Sequence, residues 1–293
     1  MIAVNSYFSG GGLLDIGLMQ AGLQIHQSFE LDKIACEVQK HNLGNHVIQS
    51  DLTKKLVSND NNADVMAFTY PCTKYSPIAN IQGSRTGDEL FLHALRHIVI
   101  KKPEAYTIEN VPGMRAFPVV MEAMTRLPDY YIQVFCPIQS EIWLPQKRDR
   151  LIIIGTKKNF NFRPPKKTKQ IKLREILEKD PQIKVPKYVL DRMKGRYRDL
   201  PIISDPDNND LAPTCVAHYS KDKSTRLVKD KNFPMNVRPY TVREYARLQG
   251  VPDWYEFNCS DSAAYKIIGN GVSVHAGQWL GFELKRYFNL GKK

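Results

Sequence analysis

The first thirty residues constrain the fold most. Ile2 to Phe8 reads as a strand, Gly10-Gly11-Gly12 follows it directly, and Leu13 to Ala21 reads as a helix closed by Gly22. Strand, glycine turn and helix let backbone amides approach a nucleotide-like ligand. Many tight turns look the same, so the glycines alone decide little. A second strand, Gln24 to Phe29, ends in Glu30-Leu31-Asp32. That sets an acid about 20 residues past the glycines, where it can accept from ribose hydroxyls. Glu30 alone could be a solvent-facing charge at a helix start. The pair of features favours an α/β fold that binds its ligand at the carboxyl ends of its strands.

The alternation continues. Lys33 to Asn42 reads as a helix and Val47-Ile48 as a short strand with Asp51-Leu52 at its end. Asp51 either accepts from an adenine amino group, with Leu31 and Leu52 over the ring faces, or caps a helix. Asp64 to Phe68 reads as a buried strand that runs into Thr69-Tyr70-Pro71-Cys72-Thr73-Lys74-Tyr75-Ser76. Cys72 then stands at a strand's carboxyl end, with Pro71 fixing the backbone before it and a loop with few apolar anchors, Ile78 to Asp88, after it. The competing reading is a buried structural cysteine. Glu89 to Ile100 reads as a helix with Leu90, Leu92, Leu95, Ile98 and Val99 toward the core. Ala105 to Ile108 is a fifth strand that ends in Glu109, on the same rim as Cys72. Two reacting groups on neighbouring strand ends form a site-like arrangement, although Glu109 could also be a surface residue opening a loop. Val119 to Leu127 reads as a helix, and Tyr130 to Phe135 and Leu151 to Gly155 as two further strands. Between those strands, Arg148 and Arg150 can clamp a phosphate or a carbonyl oxygen, or belong to an ordinary solvated cluster.

The chain has 293 residues, room for one large domain or one domain plus a smaller lobe. Its character changes near Arg163. From Pro164-Pro165-Lys166-Lys167, through a short helix at Leu173 to Leu177, to about Val237, it is polar, basic and poor in periodicity. We read that stretch as a small second lobe. Regular pattern returns with Thr241 and Glu244 spaced as a capping box, and with a last helix from about Val274 to Asn289. A formal net charge of +12 favours a polyanionic partner such as nucleic acid. The 5 cysteines are scattered and form no CxxC pair, which argues against a disulfide framework and against a zinc site; no metal is expected. A reducing cytoplasm is the expected location. No secretory leader is evident at the amino terminus, and no apolar stretch is long enough to cross a membrane.

Taken together, six short motifs occur in a fixed order: Phe8-Ser9-Gly10-Gly11-Gly12; Pro71-Cys72 with Ser76; Glu109-Asn110-Val111; Gln146-x-Arg148-x-Arg150; Arg243-Glu244-Tyr245-Ala246-Arg247-Leu248-Gln249; and Gly269-Asn270-x-Val272. In this order the chain resembles the DNA cytosine-5 methyltransferase family from its first strand to its last helix. Three departures are visible. Ser6 stands where the family usually has an acid, Thr73-Lys74-Tyr75 follows the cysteine where it usually has Gln, and Thr69-Tyr70 precedes the Pro-Cys pair where it usually has a glycine. None removes a reacting group.

The resemblance implies a Rossmann-like domain that binds S-adenosylmethionine, formed by residues 1–160 and 240–293, and a target-recognition domain at 161–239. It implies catalytic roles for Cys72, Glu109, Arg148 and Arg150. Cys72 would add to carbon 6 of a flipped-out cytosine and Glu109 would supply a proton at ring nitrogen 3. Arg150 would hold the base carbonyl, and Arg148 would orient Glu109 or Arg150. The loop from Ser76 to Asp88 would be a lid. The cofactor is expected against Phe8, Gly10, Gly12, Glu30, Leu31, Asp51, Leu52, Pro71 and Leu90, with Asn270 and Val272 near its methionine end. Double-stranded DNA is the expected partner, at a short target sequence; a monomer is expected, and a companion restriction endonuclease is left open. Two alternatives stay open: a transfer RNA cytosine-5 methyltransferase, whose usual Cys-Phe-Thr tripeptide is missing here, and a catalytically silent nucleic-acid-binding protein on the same fold.

Overall fold

The computed structural model describes residues 1–71 and 90–290. Cys72, Glu89 and the expected lid lie outside the described residues. Two compact units are present: Met1–Ile138 with Asp149–Pro165 and Ala276–Lys293, and Gln139–Arg148 with Lys166–His275.

The first unit is built on a seven-stranded sheet. Its strands are Ala3–Tyr7 (β1), Gln24–Glu30 (β2), Val47–Gln49 (β3), Val65–Phe68 (β4), Ala105–Asn110 (β5), Tyr131–Gln139 (β6) and Asp149–Thr156 (β7), in the order β3-β2-β1-β4-β5-β7-β6. Strands β1 to β5 run parallel, and β7 is antiparallel to β5. The order reverses between β1 and β4, and in an open α/β sheet a ligand binds outside the carboxyl ends at that reversal. Strands β4 and β5 are buried along their whole lengths, the expected pattern for parallel strands covered on both faces.

The connecting helices are Leu13–Gln20 (α1), Lys33–Leu43 (α2), Leu90–Lys101 (α3) and Pro118–Thr125 (α4). The core on the α3 and α4 face is aromatic, with Tyr7 stacked between Phe29 at 5.1 Å and Phe68 at 4.6 Å. Each such ring contributes about 1.5–3 kcal/mol by leaving water. The last helix, Val274–Phe288 (α9), passes close to α1. A Cβ at Gly277 would lie 2.6 Å from the Leu14 carbonyl oxygen, so only glycine permits this approach.

The second unit is held differently. It contains Leu173–Ile176 (α5), Lys187–Lys194 (α6), a three-stranded sheet of Ile202–Ser204 (β8), Arg226–Lys229 (β9) and Val237–Pro239 (β10), then Val242–Leu248 (α7) and Asp261–Asn270 (α8). Its strands are short, and much of its order comes from buried polar side chains. Arg238 grips Glu244 through both terminal nitrogens at 2.7 Å and reaches Asp230 at 2.7 Å. Tyr219 stacks on Tyr245 at 4.7 Å. Gln146 Nε2 donates to the Leu248 carbonyl at 2.6 Å and Gln249 Nε2 to that of Ile268 at 2.9 Å.

Two expectations change. Strand β5 extends through Asn110, so Glu109 is inside the strand and not beyond it. The compact units do not divide at 160 and 240: residues 139–148 and 240–275 group with 166–239, because Gln146, Arg148 and Gln249 form hydrogen bonds within that unit.

Candidate active site

At the carboxyl end of β1 the backbone is strained on purpose. Phe8 has φ 61°, a left-handed conformation that bulky residues rarely adopt. It is held there by Thr69, whose Oγ1 donates to the Phe8 carbonyl at 2.9 Å, and by an edge-on contact with the Tyr70 ring at 6.1 Å. Gly10 and Gly12 follow with φ 57° and 73°. A Cβ on Gly10 would meet nothing within 4 Å, so open space lies above the turn.

Glu30 borders that space. Its Oε2 accepts from Gly10 N at 2.7 Å, and its Oε1 accepts from Leu31 N at 2.8 Å and Asp32 N at 2.7 Å. An ionised carboxylate has about four lone-pair sites, so one on Oε2 remains for a ribose hydroxyl. Leu31 is 63% exposed, an apolar side chain ready to cover a ring face. Open glycine backbone, an oriented carboxylate and an exposed leucine fit the adenosine part of S-adenosylmethionine.

Asp51 and Leu52 are arranged less simply. Asp51 Oδ1 accepts from Thr53 N at 3.0 Å and Thr53 Oγ1 at 2.6 Å, and these bonds hold its carboxyl below the usual range. Those bonds close a turn on Asp51, and the residues just after it form no helix. Leu52 is only 4% exposed and packs in the core of the first unit. Pro71 is exposed at the edge of the described residues, and Leu90 is the half-buried first residue of α3.

Strands β4 and β5 build the second rim. Phe68 pairs with Ile108, so Glu109 lies one step beyond the last pair of this ladder. Asn110, 2% exposed, donates from Nδ2 to the Tyr70 carbonyl at 3.1 Å. Asn110 therefore bolts the chain that enters Pro71-Cys72 to the strand that carries Glu109. Arg150 arrives from β7, and its Nε lies 2.9 Å from Glu109 Oε1. The side chains of Arg150 and Glu109 are 14% and 10% exposed, so this pair is shielded but reachable.

Arg148 is 2% exposed and donates to the carbonyl oxygens of Cys215 at 3.0 Å, Gly269 at 3.2 Å and Gly271 at 2.7 Å, which ties its terminal nitrogens to backbone of the second unit. Asn270 is the exposed last residue of α8 and Val272 is buried just after it, both in that second unit. Thr69, Tyr70 and Asn110 were missed as positioning residues, although all three flank residues singled out from the sequence.

Among the described residues no helix is long and apolar enough to cross a membrane. The family model for C-5 cytosine-specific DNA methylase matches residues 2–286. The chain is 30% identical to the Type II methyltransferase M.NgoBI of Neisseria gonorrhoeae, over 91% of this chain and 88% of that protein. It is 29% identical to the Type II methyltransferase M.SsoII of Shigella sonnei, over 91% of this chain and 76% of the relative. The fold matches the Entamoeba histolytica methyltransferase EhMeth with a TM-score of 0.81 at 18% identity, covering 100% of this chain and 99% of that one. It matches the S. pombe Dnmt2 methyltransferase equally, at 0.81 and 18% identity, covering 99% and 100%. These two likenesses speak for the Rossmann-like fold alone. With the glycine turn, the oriented Glu30 and the Glu109 rim in place, the chain belongs to the C-5 cytosine-specific DNA methylase family, whose members methylate cytosine in DNA from S-adenosylmethionine.

Proposed function

We propose that this chain methylates carbon 5 of a flipped-out cytosine in a short sequence of double-stranded DNA, through a temporary bond from Cys72 to carbon 6. The observation that carries the reading is the Asn110 bolt. It ties Tyr70, two positions before Cys72 in the sequence, to the strand bearing Glu109.

Carbon 5 of cytosine is a weak nucleophile. Addition of the Cys72 sulfur at carbon 6 pushes electron density toward carbon 5, provided that ring nitrogen 3 receives a proton. Glu109 gives that proton, and Arg150 at 2.9 Å orients it and faces the base carbonyl. S-adenosylmethionine supplies the electrophilic methyl group, and Phe8, Gly10, Glu30 and Leu31 hold its adenosine part. The carbon 5 proton then leaves to solvent, its electron pair expels the Cys72 thiolate, and nitrogen 3 returns its proton to Glu109, which restores the neutral ring. Extrusion of the base costs a few kcal/mol, met by protein contacts.

The region 161–239 reads the target. It is rich in Lys and Arg, and Arg196 stacks on the exposed Tyr197 at 4.6 Å, a pairing suited to nucleic acid. The Type II relatives support a restriction-modification setting; a monomeric enzyme in the cytoplasm goes with this reading.

The test uses duplex DNA containing 5-fluorocytosine, the full chain and labelled S-adenosylmethionine. A covalent adduct is expected with the native chain and none with Cys72→Ala. Label entering transfer RNA and not DNA, or an adduct that survives Cys72→Ala, would sink the proposal.

A further inference from the structure

Beneath the glycine turn a buried line of polar side chains runs away from the ligand side. Ser9 Oγ donates to Gln39 Oε1 at 2.9 Å, and Gln39 Nε2 donates to Asp15 Oδ2 at 2.8 Å. Ser28 Oγ donates to that same Asp15 oxygen at 2.8 Å. Gln39, Asp15 and Ser28 are all 0% exposed. The line therefore links the turn, α2, α1 and β2 by direct hydrogen bonds.

Gln39 is the unusual member. The other buried residues of α2, Ala35, Cys36 and Val38, are apolar, and a leucine would fill a comparable space. A fully buried amide is costly unless both of its ends are bonded. Here one end is satisfied by the turn and the other by a carboxylate on α1. Burial raises the Asp15 carboxyl above its ordinary range, and its serine and glutamine donors oppose that rise.

Gln39 also fits the turn sterically. Gly12 has φ +73°, and a Cβ there would lie 2.7 Å from Gln39 Nε2 and 2.9 Å from its Cδ. The amide thus fills the space directly under Gly12. The turn is gripped from two sides: Glu30 holds Gly10 N at 2.7 Å on the ligand side, and Gln39 holds Ser9 on the core side.

We propose that Gln39 is a positioning residue for S-adenosylmethionine, setting the glycine turn at the height at which Gly10 and Glu30 meet the cofactor. It touches neither cofactor nor base and acts only through Ser9 and Gly12. The proposal rests on the cofactor reading of the Gly10 and Glu30 cradle.

The test compares the native chain with Gln39→Leu, Ser9→Ala and the double variant Gln39→Glu with Asp15→Asn. The double variant keeps an acceptor for Ser9 and moves the amide donor to position 15. Affinity for S-adenosylmethionine is measured by calorimetry well below each melting temperature, and hydrogen exchange of the Gly10 and Gly12 amides is measured without cofactor. Gln39→Leu is expected to weaken binding by about tenfold or more and Ser9→Ala by about fivefold, with faster exchange at the turn. The double variant is expected to recover most of both. Duplex DNA affinity should stay within about twofold in all three.

A lower melting temperature with unchanged affinity and unchanged turn exchange would make Gln39 merely structural and overturn the proposal. If Gln39→Leu does not fold, Ser9→Ala decides, because it removes only the end of the line at the turn. Failure of the native chain to bind S-adenosylmethionine would count against the cofactor reading, and the exchange arm would still decide whether Gln39 holds the turn.

Discussion

Two arginine–carboxylate pairs in this molecule use the same chemistry for opposite ends. In the first unit Arg150 Nε lies 2.9 Å from Glu109 Oε1, with both side chains partly open. In the second unit Arg238 meets Glu244 through two nitrogens at 2.7 Å, and those side chains are 1% and 0% exposed. Glu244 has further duties, accepting from Thr241 N at 2.9 Å and from Glu178 N at 2.9 Å. A carboxylate bonded on every side is a fastener. One near a strand tip, with part of its side chain exposed, stays within reach of a ligand.

The contrast can be broken by substitution. Glu109→Gln should lower kcat by about 10²–10⁴-fold, the usual worth of a general acid, while unfolding shifts by less than about 1 kcal/mol. Single-turnover kinetics beside a denaturant melt checks both halves. Glu244→Gln should do the reverse. It leaves Arg238 with a weakened partner in a buried place and should cost about 3–5 kcal/mol of stability, while the molecules still folded turn over at the native rate. Arg150→Lys should fall between them. It keeps the charge but loses the planar fork, and should reduce kcat about ten- to a hundredfold with the cofactor Kd unchanged.

The smallest effect concerns pH and the second unit alone. Burial lowers the His275 imidazole below its ordinary value. The unfolded chain therefore binds the proton more tightly, and stability is lost as pH falls below about 6.5. His275→Gln should flatten that slope between pH 7 and 5, as read from urea midpoints.

Legibility followed the same divide. Strands β1, β2, β4 and β5, the glycine turn and the carboxylates at Glu30 and Glu109 could be read in advance, because a buried parallel strand is an apolar run and its tip is marked by a polar break. In the second unit β8, β9, β10, α6 and α8 were not read. Strands of three or four residues are too short to display a period of two, and α6 buries only Val189. The backbone partners of Arg148 were out of reach for a related reason. Its acceptors at Cys215, Gly269 and Gly271 lie 67, 121 and 123 positions along the chain, and no local pattern announces them. Asp51 could have been resolved, since Thr53 two places later is the usual partner of a turn-forming aspartate.

The hold of Gln146 and Arg148 on residues 212–271 has a practical consequence for anyone wishing to retarget such an enzyme. Exchanging only the variable stretch between two relatives would replace Cys215, which accepts from Arg148 and donates to Gln146, while their partners at Leu248, Gly269 and Gly271 stay behind. A graft that carries residues 139–148 along with 166–275 keeps these hydrogen bonds together, so the transplant boundary belongs at the end of β6 and the start of β7 and not at the edge of the basic segment.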